Sequence, residues 1–162
     1  MKLFLILSLV LLCGYVGYGL SSYYKNRRIF FEELISLIEN VNLDINFSRE
    51  KIVDILSSQK LNSRALEKII KNFIVLLDAR QLDREKLFDG VKLLKDDEKH
   101  LIFSFFKSLG KFDVELQSLQ LSQFKEKISN TLQRCSSEEK KYSPILLKLA
   151  IMVGALLGLI FV

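Results

Sequence analysis

The chain has 162 residues, of which 49% are hydrophobic and 27% charged, and its mean hydropathy of +0.22 is high for a soluble domain of this length. The apolar excess sits at the two ends, Leu3 to Leu20 and Ile145 to Val162, so a membrane-attached protein is expected. The net charge of +5 does not point to nucleic acid: setting aside Lys2, Lys25, Arg27, Arg28, Lys140, Lys141 and Lys148 leaves seventeen basic against nineteen acidic residues between the ends.

The first apolar stretch, MKLFLILSLVLLCGYVGYGL, admits two readings. One is an uncleaved membrane helix over residues 1–24. The other is a secretory signal or lipoprotein leader with Cys13 as the lipidated residue, which would make the chain a secreted or lipid-anchored helical binding protein. Leu12 stands where a lipoprotein site needs a small residue, and the basic n-region is Lys2 alone. Membrane flanks on the cytoplasmic side collect Lys and Arg, and Lys25, Arg27, Arg28, Lys140 and Lys141 all flank the middle region, which predicts that residues 25–143 face the cytosol.

From Phe30 to Leu132 the apolar period is helical. Phe30, Leu34, Leu37, Ile38, Val41 and Ile45 predict a stripe on a helix that continues out of the first apolar stretch. Ser48 is expected to cap a second helix carrying Ile52, Val53, Ile55 and Leu56, and Asn62 or Ser63 a third with Leu66, Ile69, Ile70, Phe73, Ile74 and Leu77 inside. A short fourth helix starts near Asp83 and uses Leu87, Phe88 and Val91. Asp96 or Asp97 is expected to cap a fifth, with Leu101, Ile102, Phe105, Phe106 and Leu109 inside and Gly110 at its C-terminal turn. Asp113 then caps a long sixth helix whose stripe passes through Leu116, Leu119 or Gln120, Phe124, Ile128 and Leu132.

The last stretch, residues 144–162, is expected to form a second membrane helix: Pro144 at its first position, Lys148 snorkelling to the headgroups, and fourteen apolar or Gly residues from Leu149 to Val162. Gly154 and Gly158 form a GxxxG that permits close helix approach, with Gly14, Gly17 and Gly19 of the first stretch as a mate, or self-association into an oligomer. The fold class expected is therefore all-α, a cytosolic antiparallel helical bundle flanked by N- and C-terminal transmembrane helices.

No catalytic, cofactor-binding or metal-ligating constellation emerges. His100 is the sole histidine and is expected at the surface of the fifth helix; Cys13 and Cys135 are expected as free thiols; the Asp96 to Glu98 run fits a helix N-terminus; and no phosphate loop or nucleophile elbow occurs. A non-enzymatic protein is expected, with no small-molecule substrate, no cofactor and no nucleic acid. A binding groove built from Phe103 or Phe105 beside Phe31 or Phe73 is a further reading, set against the use of the twelve Phe as core.

Four stretches carry a family resemblance over nearly the whole chain: FFEELISLIENVNLDINFS after the first apolar helix, SLGKFDVELQ, FKEKISNTLQRCSSEEKKY, and the terminal LLKLAIMVGALLGLIFV. Together they resemble stage III sporulation protein AB, a family similar to the F-type inner-membrane platform proteins of type II secretion and type IV pilus machines. The Leu109, Gly110, Asp113, Gln117 spacing and the run from Lys141 and Tyr142 to Gly154 and Gly158 are its most specific pieces. Phe47-Ser48-Arg49-Glu50 replaces a Thr-Pro-Leu-like turn that relatives often carry. The resemblance implies an all-α bundle attached to the membrane at both ends, within the channel complex between mother cell and forespore that endospore formation requires. It also implies partners: the sporulation secretion-type ATPase (protein AA) and other membrane subunits of the same operon.

Overall fold

A computed structural model describes residues 2–47, 52–59, 61–79, 81–109 and 114–160; the expected caps Ser48 and Asp113 and the turn residue Gly110 lie outside them. Among the described residues the regular structure is all α, without a strand, in six helices: α1 (Lys2–Phe47), α2 (Ile52–Ser58), α3 (Arg64–Asp78), α4 (Arg84–Leu87), α5 (Asp96–Ser108) and α6 (Val114–Ile160). The chain divides into two compact units, Ile29–Leu132 and the pair Met1–Arg28 with Gln133–Val162.

In the unit Ile29–Leu132 the apolar stripe of α1 turns inward as its period dictates. Phe30, Leu34, Leu37, Ile38 and Val41 are buried, together with the neighbouring Phe31, and Ile45 is half-buried. Glu33 on the same helix accepts from the backbone N–H groups of Asn62 and Ser63 at 2.9 and 2.8 Å. Ser63 is the cap of α3, its hydroxyl accepting from the Leu66 N–H at 3.4 Å. The buried face of α3 is Leu66, Ile69, Ile70, Phe73 and Leu76; Leu77 is exposed and Ile74 half-buried, so the stripe leaves the expected one after Phe73. The step from Phe73 to Leu76 is three residues where four were expected, and it turns Leu77 to the solvent side.

Asp83 caps α4 by accepting from the Glu85 N–H at 3.0 Å, and Leu87, Phe88 and Val91 are buried as the sequence predicts. Gly90 has φ +67°, a left-handed turn residue between α4 and α5. The cap of α5 is Lys95, not Asp96 or Asp97, which fill the first helical positions. The Lys95 N–H donates to the Glu98 carboxylate at 2.9 Å, so the carboxylate three residues on supplies the capping bond and both aspartates are left to favour the helix dipole. Glu98 is buried in consequence.

The aromatic core of this unit joins α3, α5 and α6: Phe73 and Phe106 rings lie 4.7 Å apart, Phe105 and Phe106 5.0 Å, and Phe105 and Phe124 5.8 Å. Phe31, Phe73 and Phe105 are buried and Phe103 half-buried, which fits their use as core rather than the alternative reading of an exposed groove. The stripe of α6 also departs from expectation. Leu116 and Leu119 are exposed while Gln117, Leu121 and Ile128 are buried and Phe124 half-buried, a clean four-three-four spacing set by Gln117 rather than by the leucines beside it.

Candidate functional site: an antiparallel helix pair

The other unit consists of the first part of α1 and the last part of α6. Their contacts run in one antiparallel register. Near one end Gly154 of α6 approaches Val10 and Cys13, where an added Cβ would lie 3.0 Å from Val10 Cα and 3.0 Å from Cys13 Cβ. Farther along, a Cβ at Gly17 would overlap the Ala150 Cβ and stand 3.4 Å from the Leu146 carbonyl oxygen. The Ser21 and Ser143 hydroxyls are hydrogen-bonded, Tyr24 stacks on Tyr142 at 5.6 Å with 29° between the rings, and Arg27 and Arg28 reach Glu138 and Glu139. From the glycines through the serines and tyrosines to the arginine–glutamate pairs the α1 number rises as the α6 number falls, and only within the last turn do Arg27 with Glu138 and Arg28 with Glu139 step the same way.

The chemistry along this ladder is graded. At the glycine end the two backbones approach closely because neither Gly17 nor Gly154 carries a Cβ, the arrangement that small residues permit between helices. In the middle a hydroxyl pair satisfies itself. At the far end the guanidinium of Arg27, 1% exposed, pairs with Glu138, and Arg28 Nε donates to Glu139 at 2.5 Å. Charge-assisted bonds of this kind join the helices with fixed geometry. Tyr23 and Tyr24 meet edge to face at 5.5 Å, and Lys141 Nζ lies 5.3 Å from the Tyr142 ring centroid.

Of the glycines singled out in the sequence, the structure brings Gly17 and Gly154 to the helix contact and buries Gly158, whereas Gly14 and Gly19 have open space where a side chain would be. Of the basic flank residues, Arg27 and Arg28 are drawn into ion pairs, while Lys25, Lys140, Lys141 and Lys148 are exposed. Pro144 is inside α6, which runs unbroken through it, and is not the first residue of a separate helix. It cannot donate to the Lys140 carbonyl, a loss made bearable by its exposed position, where water or other donors can reach that oxygen. Glu138, Glu139, Ser21, Ser143 and Tyr24 escaped the sequence reading. A signal for two of them was present, since Glu138 and Glu139 are the only acids beside the second apolar stretch and Arg27 and Arg28 the only arginines beside the first.

Apolar side chains clothe the outside of this unit. Leu11, Leu12, Tyr15, Val16, Tyr18 and Leu20 on α1, and Ile145, Leu149, Ile151, Met152, Val153 and Leu156 on α6, are all exposed. Among the described residues α6 is the one helix long and apolar enough to cross a membrane, and only 11% of its apolar window is buried, whereas the core helix of a soluble protein would be mostly buried. This fits membrane association.

Elsewhere the polar groups serve the fold. His100 is exposed and accepts from the Arg84 guanidinium, Cys13 and Cys135 are not in a disulfide, and no group of three or more metal-ligating side chains occurs among the described residues. A hydrogen bond from Lys71, and its charge, hold the Glu67 carboxyl below its ordinary range at the surface of α3. An open cleft between α5 and α6 is lined by Ser104, Lys107, Ser108, Gln123, Phe124 and Lys127.

No curated protein and no solved structure matches this chain. The model of one family, stage III sporulation protein AB, matches residues 2–162, and on that match the chain belongs to the family, with a role in stage III of sporulation.

Proposed function

We propose that this protein is a non-enzymatic membrane platform subunit of the secretion-like channel complex between mother cell and forespore. The observation that carries the reading is the helix pair: an outer surface of exposed apolar residues, ending where ion-paired arginines, exposed lysines and tyrosines begin. Both helices then span the bilayer, with their charged end at the cytoplasmic headgroups and the unit Ile29–Leu132 in the cytosol.

On this reading the cytosolic unit docks the sporulation secretion-type ATPase, and the spanning helices meet other membrane subunits of the complex. Topology tests the first part. In a chain with Cys13→Ala and Cys135→Ala, a single cysteine at Lys92, an exposed position, is expected to resist a membrane-impermeant maleimide in intact cells, and one appended after Val162 to react. Labelling at Lys92 from outside would refute the cytosolic placement. Co-purification of the full chain in detergent with the ATPase tests the second part, and absence of retention at micromolar concentrations of both would remove it.

A further inference from the structure

The paired helices hold eight basic residues and only two acidic ones, Glu138 and Glu139, in Met1–Arg28 and Gln133–Val162. Both carboxylates are already engaged by Arg27 and Arg28. The exposed lysines of the unit therefore face outward with no carboxylate of their own to meet, and two of them stand in a particular relation. Lys141 and Lys148 are seven residues apart on α6, so they share one face of the helix, about 10.5 Å apart along the axis. Neither has an ion-pair partner among the described residues, and Lys141 Nζ sits by the Tyr142 ring.

Lys148 lies among exposed apolar residues, with Ile145 on one side and Leu149, Ile151 and Met152 on the other. An ammonium there is costly unless it is carried toward the polar boundary. Helical side chains lean toward the helix N-terminus, which for α6 is the direction of Lys141, so the four-carbon stem of Lys148 is aimed back at that boundary. Lys148 is thus carried toward headgroup level on the face that also bears Lys141, above an apolar strip and beside an exposed aromatic ring, a combination that calls for an anion with a hydrocarbon body.

We infer that Lys141 and Lys148 form a site for the phosphodiester of one anionic phospholipid, of the phosphatidylglycerol class, with its acyl chains along the exposed apolar face of α6. A free phosphate would satisfy the lysines but leave the strip below them uncovered. The inference rests on the membrane reading above. It adds that the contact is selective for lipid charge and is located at two named residues.

The test uses the full-length chain. Flotation with phosphatidylcholine vesicles examines membrane insertion alone, and failure to float would refute the membrane reading itself. The second arm is native mass spectrometry of the protein released from mixed micelles holding equal amounts of phosphatidylglycerol and phosphatidylcholine. We expect one retained phosphatidylglycerol, and a preference that falls about 25-fold in the Lys141→Gln/Lys148→Gln variant, at roughly 5-fold for each lysine. Lys148→Arg should keep the preference, and Lys92→Gln, on the other unit, should leave it unchanged. An unchanged preference in the double variant, an equal loss in Lys92→Gln, or complete displacement of the lipid by millimolar inorganic phosphate would each overturn the inference while leaving a floating protein, and with it the membrane reading, intact.

Discussion

Three glycines in the first apolar stretch offer an internal comparison, because the structure gives them different surroundings. At Gly14 and Gly19 an added methyl meets nothing within 4 Å, whereas at Gly17 it meets the Ala150 Cβ and the backbone around Leu146 and Leu147. Replacing a helical glycine by alanine removes backbone freedom from the unfolded chain, worth about 0.5–1 kcal/mol. At Gly14 and Gly19 that gain stands alone, and both variants should be as stable as the parent or more so. At Gly17 it is opposed by overpacking of about 1–3 kcal/mol, since backbone atoms cannot move aside as a flexible side chain would. The net expectation for Gly17→Ala is a loss of about 1 kcal/mol, and larger for Gly17→Leu. Titration with sodium dodecyl sulfate, read by disulfide formation between Ser21→Cys and Ser143→Cys, follows separation of the two helices rather than loss of helicity. Equal effects at Gly14 and Gly17, or a stabilised Gly17→Ala, would refute the register.

The same assay applies to the charged end of the pair: Glu138→Gln should cost toward the low end of about 3–5 kcal/mol, because it leaves the 1% exposed Arg27 without that carboxylate, and the exchange Arg27→Glu/Glu138→Arg should recover part of the loss. Ser63→Ala should lower stability by about 1 kcal/mol through loss of the α3 cap, measured by urea unfolding of the full chain in detergent. For Glu67 the sign is fixed by its lowered folded-state pKa: the Lys71 bond contributes fully above the ordinary value of 4.5 and is lost as pH falls below it, so Lys71→Ala should leave the pH dependence of melting unchanged between pH 6 and 8 and alter it only in acid.

The fold was largely legible because burial in a helical protein repeats along the chain. Phe30 to Val41, Leu66 to Phe73 and Ile102 to Phe106 stand in the sequence at the spacing at which they are buried in the structure. What escaped was decided between segments. Gln117 takes a place in the core that its polarity argues against, and Leu116 beside it is left outside, because a stripe is fixed by the partners it meets and not by the hydrophobicity of one residue. The Lys95 cap escaped for a related reason, since the bond is made by a side chain three residues on. At the helix pair, Gly17 and Gly154 could be named from composition, but their separation from Gly14 and Gly19 depends on how each helix is rotated about its axis, which glycine spacing does not encode.

Pro144 shows how far a local rule carries. A proline inside a helix forfeits one backbone hydrogen bond and crowds the preceding turn, at about 3 kcal/mol or more, and that rule predicts a helix beginning at Pro144. In the structure α6 passes through it, with the neighbouring Ser143 bonded to Ser21 and Tyr142 stacked on Tyr24. Those cross-helix contacts hold the turn in place on both partners, and Lys140 and Pro144 are both exposed residues, where donors outside the helix can reach the carbonyl that the proline leaves. Pro144→Ala should therefore stabilise the pair, but by less than 3 kcal/mol, because the Lys140 carbonyl is exchanging one set of partners for another. Measured by the same cross-linking titration, a gain of the full amount would mean that the carbonyl is unsatisfied in the native protein. A loss would mean that the proline shapes the turn that brings Ser143 to Ser21, and the account of an unbroken α6 would then be wrong at this position.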